Sequence, residues 1–171
     1  MPLTKHQEEI AYCDNLDPQP PGEDRPNHVS ELLWEVNKFL DGCTGYMVVA
    51  EAGDMLFAGL DIKVGQRGTY LAQGYYTSMG YGVPGALGAQ LGTGQRPLVL
   101  CGDRAFQMTG PEISHAPQHN LNPIVLVMNN RGWGIFQPGA ERQDLLTTPP
   151  WPQAKLAEAW GEKGLQVHTV K

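Results

Sequence analysis

Basic residues are scarce in this chain. Twelve Lys and Arg stand against 18 Asp and Glu, a net charge of −6 over 171 residues. Nucleic-acid binding draws on clustered Lys and Arg, so nucleic acid is not expected as the main partner. Long apolar runs are also missing. None approaches the length of a membrane span, and the opening MPLTKHQEEIAY holds no apolar stretch of signal-peptide type. The expectation is a cytoplasmic protein, with no membrane and no nucleic acid among its partners. Cysteine is sparse too: Cys13, Cys43 and Cys101, with no CxxC pair. An odd, scattered set points to free reduced thiols rather than a disulfide framework. Cys101 ends an apolar run and reads as a buried strand residue. Nothing near it in sequence would stabilise a thiolate, which argues against a nucleophilic role.

What is present is an ordinary core-forming composition, 41% apolar and 18% charged, enough for one globular domain. Residues 1–28 differ from the rest, with five prolines, six acidic and two basic residues. This is the composition of an extended, solvated linker or tail, and residues 29–171 are expected to form the domain. A chain that opens on a linker suits one that follows another domain. Ser30 is a candidate helix cap, and Leu32, Leu33, Val36, Phe39 and Leu40 recur at helical spacing, predicting a helix over about 30–41. Tyr46–Ala50, Pro97–Cys101 and Pro123–Met128 are short continuous apolar runs, read as strands covered on both faces. Helices are predicted over about 82–92, 109–119 and 152–160, and a last strand over Gln166–Val170. Strands alternating with helices imply an α/β fold with a mostly parallel sheet, in three α/β/α layers. No helix follows the last strand, so the C-terminus reads as truncated.

Two constellations carry chemistry. CGDRAFQMT (101–109) follows the strand 97–101, where open parallel sheets bind their ligands. Asp103 projects a carboxylate there, and a helix begins just after it, favouring a phosphate. A carboxylate alone repels a diphosphate; with a divalent cation it bridges to one. MNNRGWG (128–134) follows the strand 123–128 in the same way. If the two strands are neighbours, Asp103 and Asn130 converge. Carboxylate, amide oxygen, a Gly132 carbonyl and diphosphate oxygens make a hard oxygen-only shell suited to magnesium. Either motif alone would more often be a plain turn. Their combination in a strand–helix–strand context is far more specific.

Gly102-Asp103 followed 27 residues after the aspartate by Asn130, in an Asn129-Asn130 pair, resembles the Gly-Asp-Gly…Asn-Asn motif of thiamine-diphosphate enzymes. GDRAFQMTGPEIS, LNPIVLVMNNRGWGI and GYYTSMGYGVPGALGAQLG resemble the 2-keto acid decarboxylase branch, with likeness to indolepyruvate and phenylpyruvate decarboxylases over roughly residues 45–171. The resemblance implies thiamine diphosphate and Mg2+ as cofactors, with Asp103, Asn130 and the Gly132 carbonyl as metal ligands. It implies that Gly102, Arg104 and the backbone of Ala105 and Phe106 line the diphosphate site. Trp133, Gly134 and Ile135 follow the Asn-Asn turn beside the cofactor. Met79 matches the apolar residue that props the cofactor in its bent shape, next to Ser78. Thr77 matches the residue whose carbonyl receives the aminopyrimidine, and Asp54 and Met55 the loop beside that ring. Alone, Met79 would read as a core methionine.

Departures from the motif matter as well. Arg104 replaces its second glycine, which would allow positive φ and a close backbone approach. An arginine either pairs with phosphate oxygens or clashes and weakens cofactor binding. The second outcome is the expectation, so that Arg104→Gly should tighten binding. Phe136 stands where pyruvate decarboxylases carry a glutamate, which implies a larger, apolar substrate pocket or reliance on acids elsewhere, and favours an aryl-pyruvate over pyruvate. His115 and His119 have a zinc-like i, i+4 spacing but no third ligand in sequence, and read as a solvated helix face, with Pro117 kinking that helix. No residue of this chain is assigned a catalytic role. The activating glutamate of the family lies in a pyrimidine-binding domain, which is expected on another chain or in a missing N-terminal region, and Glu51 is not that residue. The implied partners are a small 2-keto acid and that domain, in a homo- or hetero-oligomer. The rival readings are a small subunit of a two-chain decarboxylase, an inactive cofactor-binding or interaction fragment, and an acetolactate-synthase-like carboligase.

Overall fold

A computed structural model describes residues 28–136, 142, 146, 147 and 149–167. The linker expected over 1–28 lies outside the described residues except for His28. At its centre is a four-stranded, all-parallel sheet of order β2-β1-β3-β4. The strands are β1 (Tyr46–Ala50), β2 (Tyr70–Ala72), β3 (Arg96–Gly102) and β4 (Ile124–Met128). Registers put Val49 beside Leu71 and Val99, and Val99 beside Val125.

Period-two alternation sends the strand side chains to two separate cores. Met47, Val49, Val99 and Cys101 face one side, where α3 (Gly82–Thr93) and α4 (Asp103–Thr109) cover them with Val83, Ala86, Ala105 and Phe106. Val48, Leu98 and Leu100 face the other, under Leu33 and Val36 of α1 (Val29–Leu40) and Met55 and Ala58 of α2 (Asp54–Ala58). Helices on both faces of a parallel sheet make the three-layer α/β/α architecture expected from the sequence. A further helix, α5 (Gln153–Ala159), follows. No helix among the described residues is long and apolar enough to cross a membrane.

Several elements differ from their sequence reading. The first helix starts at Val29, one residue early, because the Glu31 carboxylate reaches back to accept the His28 backbone N–H at 3.2 Å. Ser30 therefore lies inside the first turn and is not the cap. The helix expected over 109–119 is divided: α4 ends at Thr109, and 3-10 turns follow at Gly110–His115 and Pro117–His119. Pro111 and Pro117, each early in its turn, lack the N–H that would continue an α-helical ladder. Strand β4 is only half-buried along its length, being an edge of the sheet among the described residues. Gln166 and Val167 have no strand pairing, and the rest of the last predicted strand lies outside the described residues. The sequence reading missed β2 and α2, each too short to show a period. At the far end of α3, Gly94 takes the left-handed conformation, φ +71°, and returns its N–H to the Gln90 carbonyl at 2.8 Å.

Candidate functional site

The β3–β4 register ends with Gly102 opposite Met128. The two chain segments that follow, Asp103 onward and Asn129 onward, thus leave the sheet side by side at its carboxyl edge. Asp103 is buried, 3% exposed. Burial pushes its carboxyl above the usual carboxylate range. The push is partly offset by the Arg104 backbone N–H and guanidinium, its own N–H and the N–H of Arg131. The influence of the Arg131 N–H sets the start of the asparagine turn close to the Asp103 carboxylate.

That turn is built from two successive side-chain-to-backbone hydrogen bonds. Asn129 Oδ1 accepts the Arg131 N–H, and Asn130 Oδ1 accepts the Gly132 N–H, both at 3.1 Å. The geometry forces Arg131 to φ +61°, a conformation a side chain disfavours. Arg131→Gly, which keeps the N–H offered to Asn129 Oδ1, is expected to stabilise the domain by roughly 0.5 kcal/mol once glycine's larger unfolded-state entropy is subtracted. Thermal denaturation should show a rise of about 1–2 °C; a fall would mean that the arginine side chain holds the turn.

Glycine is required twice in the next few residues. A Cβ on Gly132 would collide with the Leu146 carbonyl oxygen. A Cβ on Gly134 would sit 2.5 Å from Asn130 Nδ2 and 2.9 Å from Asp54 Oδ2. The second measurement also locates Asp54, which comes to the same spot as Asn130 from the start of α2. Its neighbour Met55 turns away into the core beneath α1.

A strap that includes Leu146, Thr147 and Pro149 meets both segments. Gly132 bridges to Thr147, the Trp133 N–H reaches the Leu146 carbonyl at 3.0 Å, and Gln107 Nε2 donates to the Pro149 carbonyl at 3.2 Å. Ala105 and Phe106 bury their side chains in the core, so that only their backbone faces the site. Ile135 lies in the 3-10 turn Gly134–Phe136. Phe136 is 60% exposed, with its ring 6.3 Å from that of Trp133.

The third segment, 73–82, comes from β2. The Gln73 side chain closes the loop by accepting the Ser78 N–H at 2.6 Å. Thr77 takes φ +51°, the kind of local strain that gathers at ligand sites. Thr77 and Ser78 are exposed, and Met79 packs on the core below α3.

Sequence reasoning set Glu51 aside as a loop residue. It is instead the hub that positions this segment. Its buried carboxylate accepts the N–H of Ala52 (2.8 Å) and Gly80 (3.2 Å) on Oε1 and that of Gly82 (2.6 Å) on Oε2. Thr109 Oγ1 adds a 2.6 Å bond to the Gly80 carbonyl, linking α4 to the same turn. Met79 is thus held from both sides of Gly80. The available signal was an acidic residue directly ending a wholly apolar strand, where a buried carboxylate must find donors.

Other candidates resolve simply. Burial first, then the Glu51 and Asp103 carboxylates, push the Cys101 thiol far up, which leaves it inert. His115 meets Glu112 at 3.4 Å in an exposed pair, and no cluster of three His, Cys, Asp or Glu that could hold a metal occurs among the described residues. The set that could hold a cation is therefore mixed: the Asp103 carboxylate, the Asn130 amide oxygen and the Gly132 carbonyl. All are oxygen donors, and the buried acid lacks full compensation. This is the chemistry a hard divalent ion fits.

The family described as "Thiamine pyrophosphate enzyme, C-terminal TPP binding domain" matches residues 51–171. The chain belongs to this family. The matched span begins at Glu51 and takes in all three site segments. Thiamine diphosphate is accordingly the cofactor of this domain. An indole-3-pyruvate decarboxylase of Azospirillum brasilense is 39% identical over 97% of this chain and 30% of its own length. An alpha-keto-acid decarboxylase of Mycobacterium ulcerans (strain Agy99) is 32% identical over 69% of this chain and 21% of its own. The large subunit of acetolactate synthase isozyme 3 of Escherichia coli (strain K12) is 28% identical over 84% and 25%. The chain thus spans less than a third of each of these relatives. As a member of the thiamine pyrophosphate family, it contributes the sheet edge on which Asp103 and the asparagine turn meet.

Proposed function

We propose that this chain is the diphosphate- and magnesium-binding domain of a non-oxidative 2-keto acid decarboxylase acting on an aryl-pyruvate such as indolepyruvate or phenylpyruvate. The observation that carries the reading is the β3–β4 register, which sets Gly102 opposite Met128 and so sends the Asp103 and Asn130 segments off the same sheet edge side by side. Asp103, Asn130 and the Gly132 carbonyl would hold magnesium. Gly102, Arg104, Trp133, Gly134, Ile135 and the backbone of Ala105 and Phe106 would surround the diphosphate. Asp54, Met55, Thr77, Ser78 and Met79 would border the rest of the cofactor. When bound, thiamine diphosphate supplies the electron sink for loss of carbon dioxide. The residues of this chain bind and orient it.

The aryl-pyruvate assignment is supported by the exposed Phe136 beside Trp133, an aromatic pair next to the asparagine turn. It is supported too by the likeness to an indole-3-pyruvate decarboxylase. In this reading residues 1–28 are a linker and 29–171 the cofactor domain. The pyrimidine-binding region is supplied from elsewhere in an oligomer, and the setting is cytoplasmic.

The test has two stages. Isothermal titration of the chain with thiamine diphosphate is expected to show binding supported by magnesium; none at millimolar cofactor would sink the cofactor site. With a pyrimidine-binding domain added, phenylpyruvate or indolepyruvate should release carbon dioxide. Binding without release, with every supplied partner, would leave a cofactor-binding fragment and remove the enzyme.

A further inference from the structure

Arg104 occupies the first turn of α4, immediately after Asp103. The sequence expectation was that an arginine there would weaken binding, by steric clash where glycine would adopt positive φ. The backbone shows no such need. Residue 104 is right-handed helical, and among the described residues the positive-φ positions other than glycine are Thr77, Asn120 and Arg131. The side chain is also fixed. Its guanidinium carbon lies 5.0 Å from the Trp133 ring centroid, and Nη1 donates to Gln107 Oε1 at 2.8 Å. Its charge is felt by Asp103. The Nε–H is buried without an acceptor among the described residues. The cation therefore sits between the two motif segments, with one donor unsatisfied.

We infer that the Arg104 guanidinium is a built-in countercharge for the diphosphate, so that this chain holds a diphosphate group without strict dependence on a divalent cation. The inference rests on the diphosphate reading above. A diphosphate placed against the Asp103 carboxylate is repelled unless a positive charge stands between them. Magnesium is one such charge. Arg104 is another, and it is covalently present. A guanidinium offers paired N–H groups that match two phosphate oxygens. The Trp133 face holds it near the site, and Gln107, itself tied to the Pro149 carbonyl, restricts its rotation. The unsatisfied Nε–H makes the resting arrangement one that an incoming acceptor improves. Neither lysine nor methionine reproduces the fork.

The experiment is titration calorimetry of the full chain with inorganic pyrophosphate and with thiamine diphosphate, each in magnesium and in EDTA. Wild type, Arg104→Met and Arg104→Lys are compared, with circular dichroism to verify folding. The quantity read is the ratio of affinity in magnesium to affinity in EDTA. Wild type is expected to lose no more than about tenfold on removal of magnesium. Arg104→Met should lose roughly tenfold or more beyond that, the scale of one charge-assisted hydrogen bond, with Arg104→Lys between them. Equal ratios in all three, with magnesium-supported binding retained, would overturn the countercharge and leave the proposed half-site standing. No binding by any variant even in magnesium would remove both.

Discussion

Asp103→Ala is expected to lower the magnesium-supported affinity for thiamine diphosphate by about tenfold, the whole of the gain that magnesium gives the wild type. Loss of residues that merely orient metal ligands costs about 10–100-fold; Asp103 is the only charged member of the proposed ligand set, and the Arg104 countercharge keeps the loss at the low end of that range. The fold should survive. The Arg131 N–H keeps its bond to Asn129 Oδ1, and the N–H groups of residues 103 and 104 belong to the first turn of α4, which has no intrahelical acceptors in any case. The variant should also lose its response to magnesium. Without the carboxylate the ion has no anchor, and the diphosphate no longer faces a negative charge. Calorimetry in magnesium and in EDTA should then give nearly the same weak affinity. Unchanged magnesium-supported binding would place the cation elsewhere. Acidification should act on the same group in wild type. Burial holds the Asp103 carboxyl above the usual range, and magnesium needs the ionised form. Magnesium affinity is therefore expected to fall, as pH is lowered, at a higher pH than an ordinary exposed carboxylate would give.

How much of this was legible beforehand depends on the kind of signal. Strands β1, β3 and β4 were readable because each is a continuous apolar run, and such runs arise when a parallel strand is covered on both faces. Helix α3 was readable between its glycines because nothing else in GVPGALGAQLG satisfies a backbone of that length. Strand β2 was not. Its three residues, Tyr70–Ala72, are half-buried and gain their structure from pairing with β1, a tertiary fact with no local mark. The division of the 109–119 helix was half legible. Pro117 announced a break, while Pro111, which lacks the N–H that would carry the ladder past Thr109, marked an earlier one that went unread.

The site divides along the same line. Asp103 and the asparagine pair could be found because side-chain type and spacing carry the meaning. The strap that meets Gly132, Trp133 and Gln107 could not, since its contacts are made largely through the Leu146, Thr147 and Pro149 backbone, which any sequence offers. Arg104 was legible as a departure but not in its direction. The steric reading assumed a left-handed backbone that the helix does not use. Its charge, placed over Trp133, became the more important property.

Glu51 marks the deepest limit of the sequence reading, and its replacement carries the other large expected effect. One carboxylate satisfies three backbone donors at 1% exposure. Glu51→Ala strands the N–H groups of Ala52, Gly80 and Gly82 in a dry interior, each costing roughly 1–3 kcal/mol if left unpaired. A loss of about 3–5 kcal/mol is expected in urea denaturation, the scale seen when one partner of a buried charged contact is removed. That is a large share of an ordinary domain's stability of about 5–15 kcal/mol. Glu51→Gln keeps the shape but turns an amide NH2 toward an N–H donor, and should lose about half as much. Hydrogen exchange separates a local role from a global one in the milder variant. If Glu51 positions the cofactor segment, the Gly80 and Gly82 amides should exchange faster by a larger factor than the central β1 and β3 amides. Thiamine diphosphate affinity should fall with them, because the bonds to Gly80 fix the backbone that follows Met79. Uniform acceleration across the sheet would reduce Glu51 to a core acid with no bearing on the site.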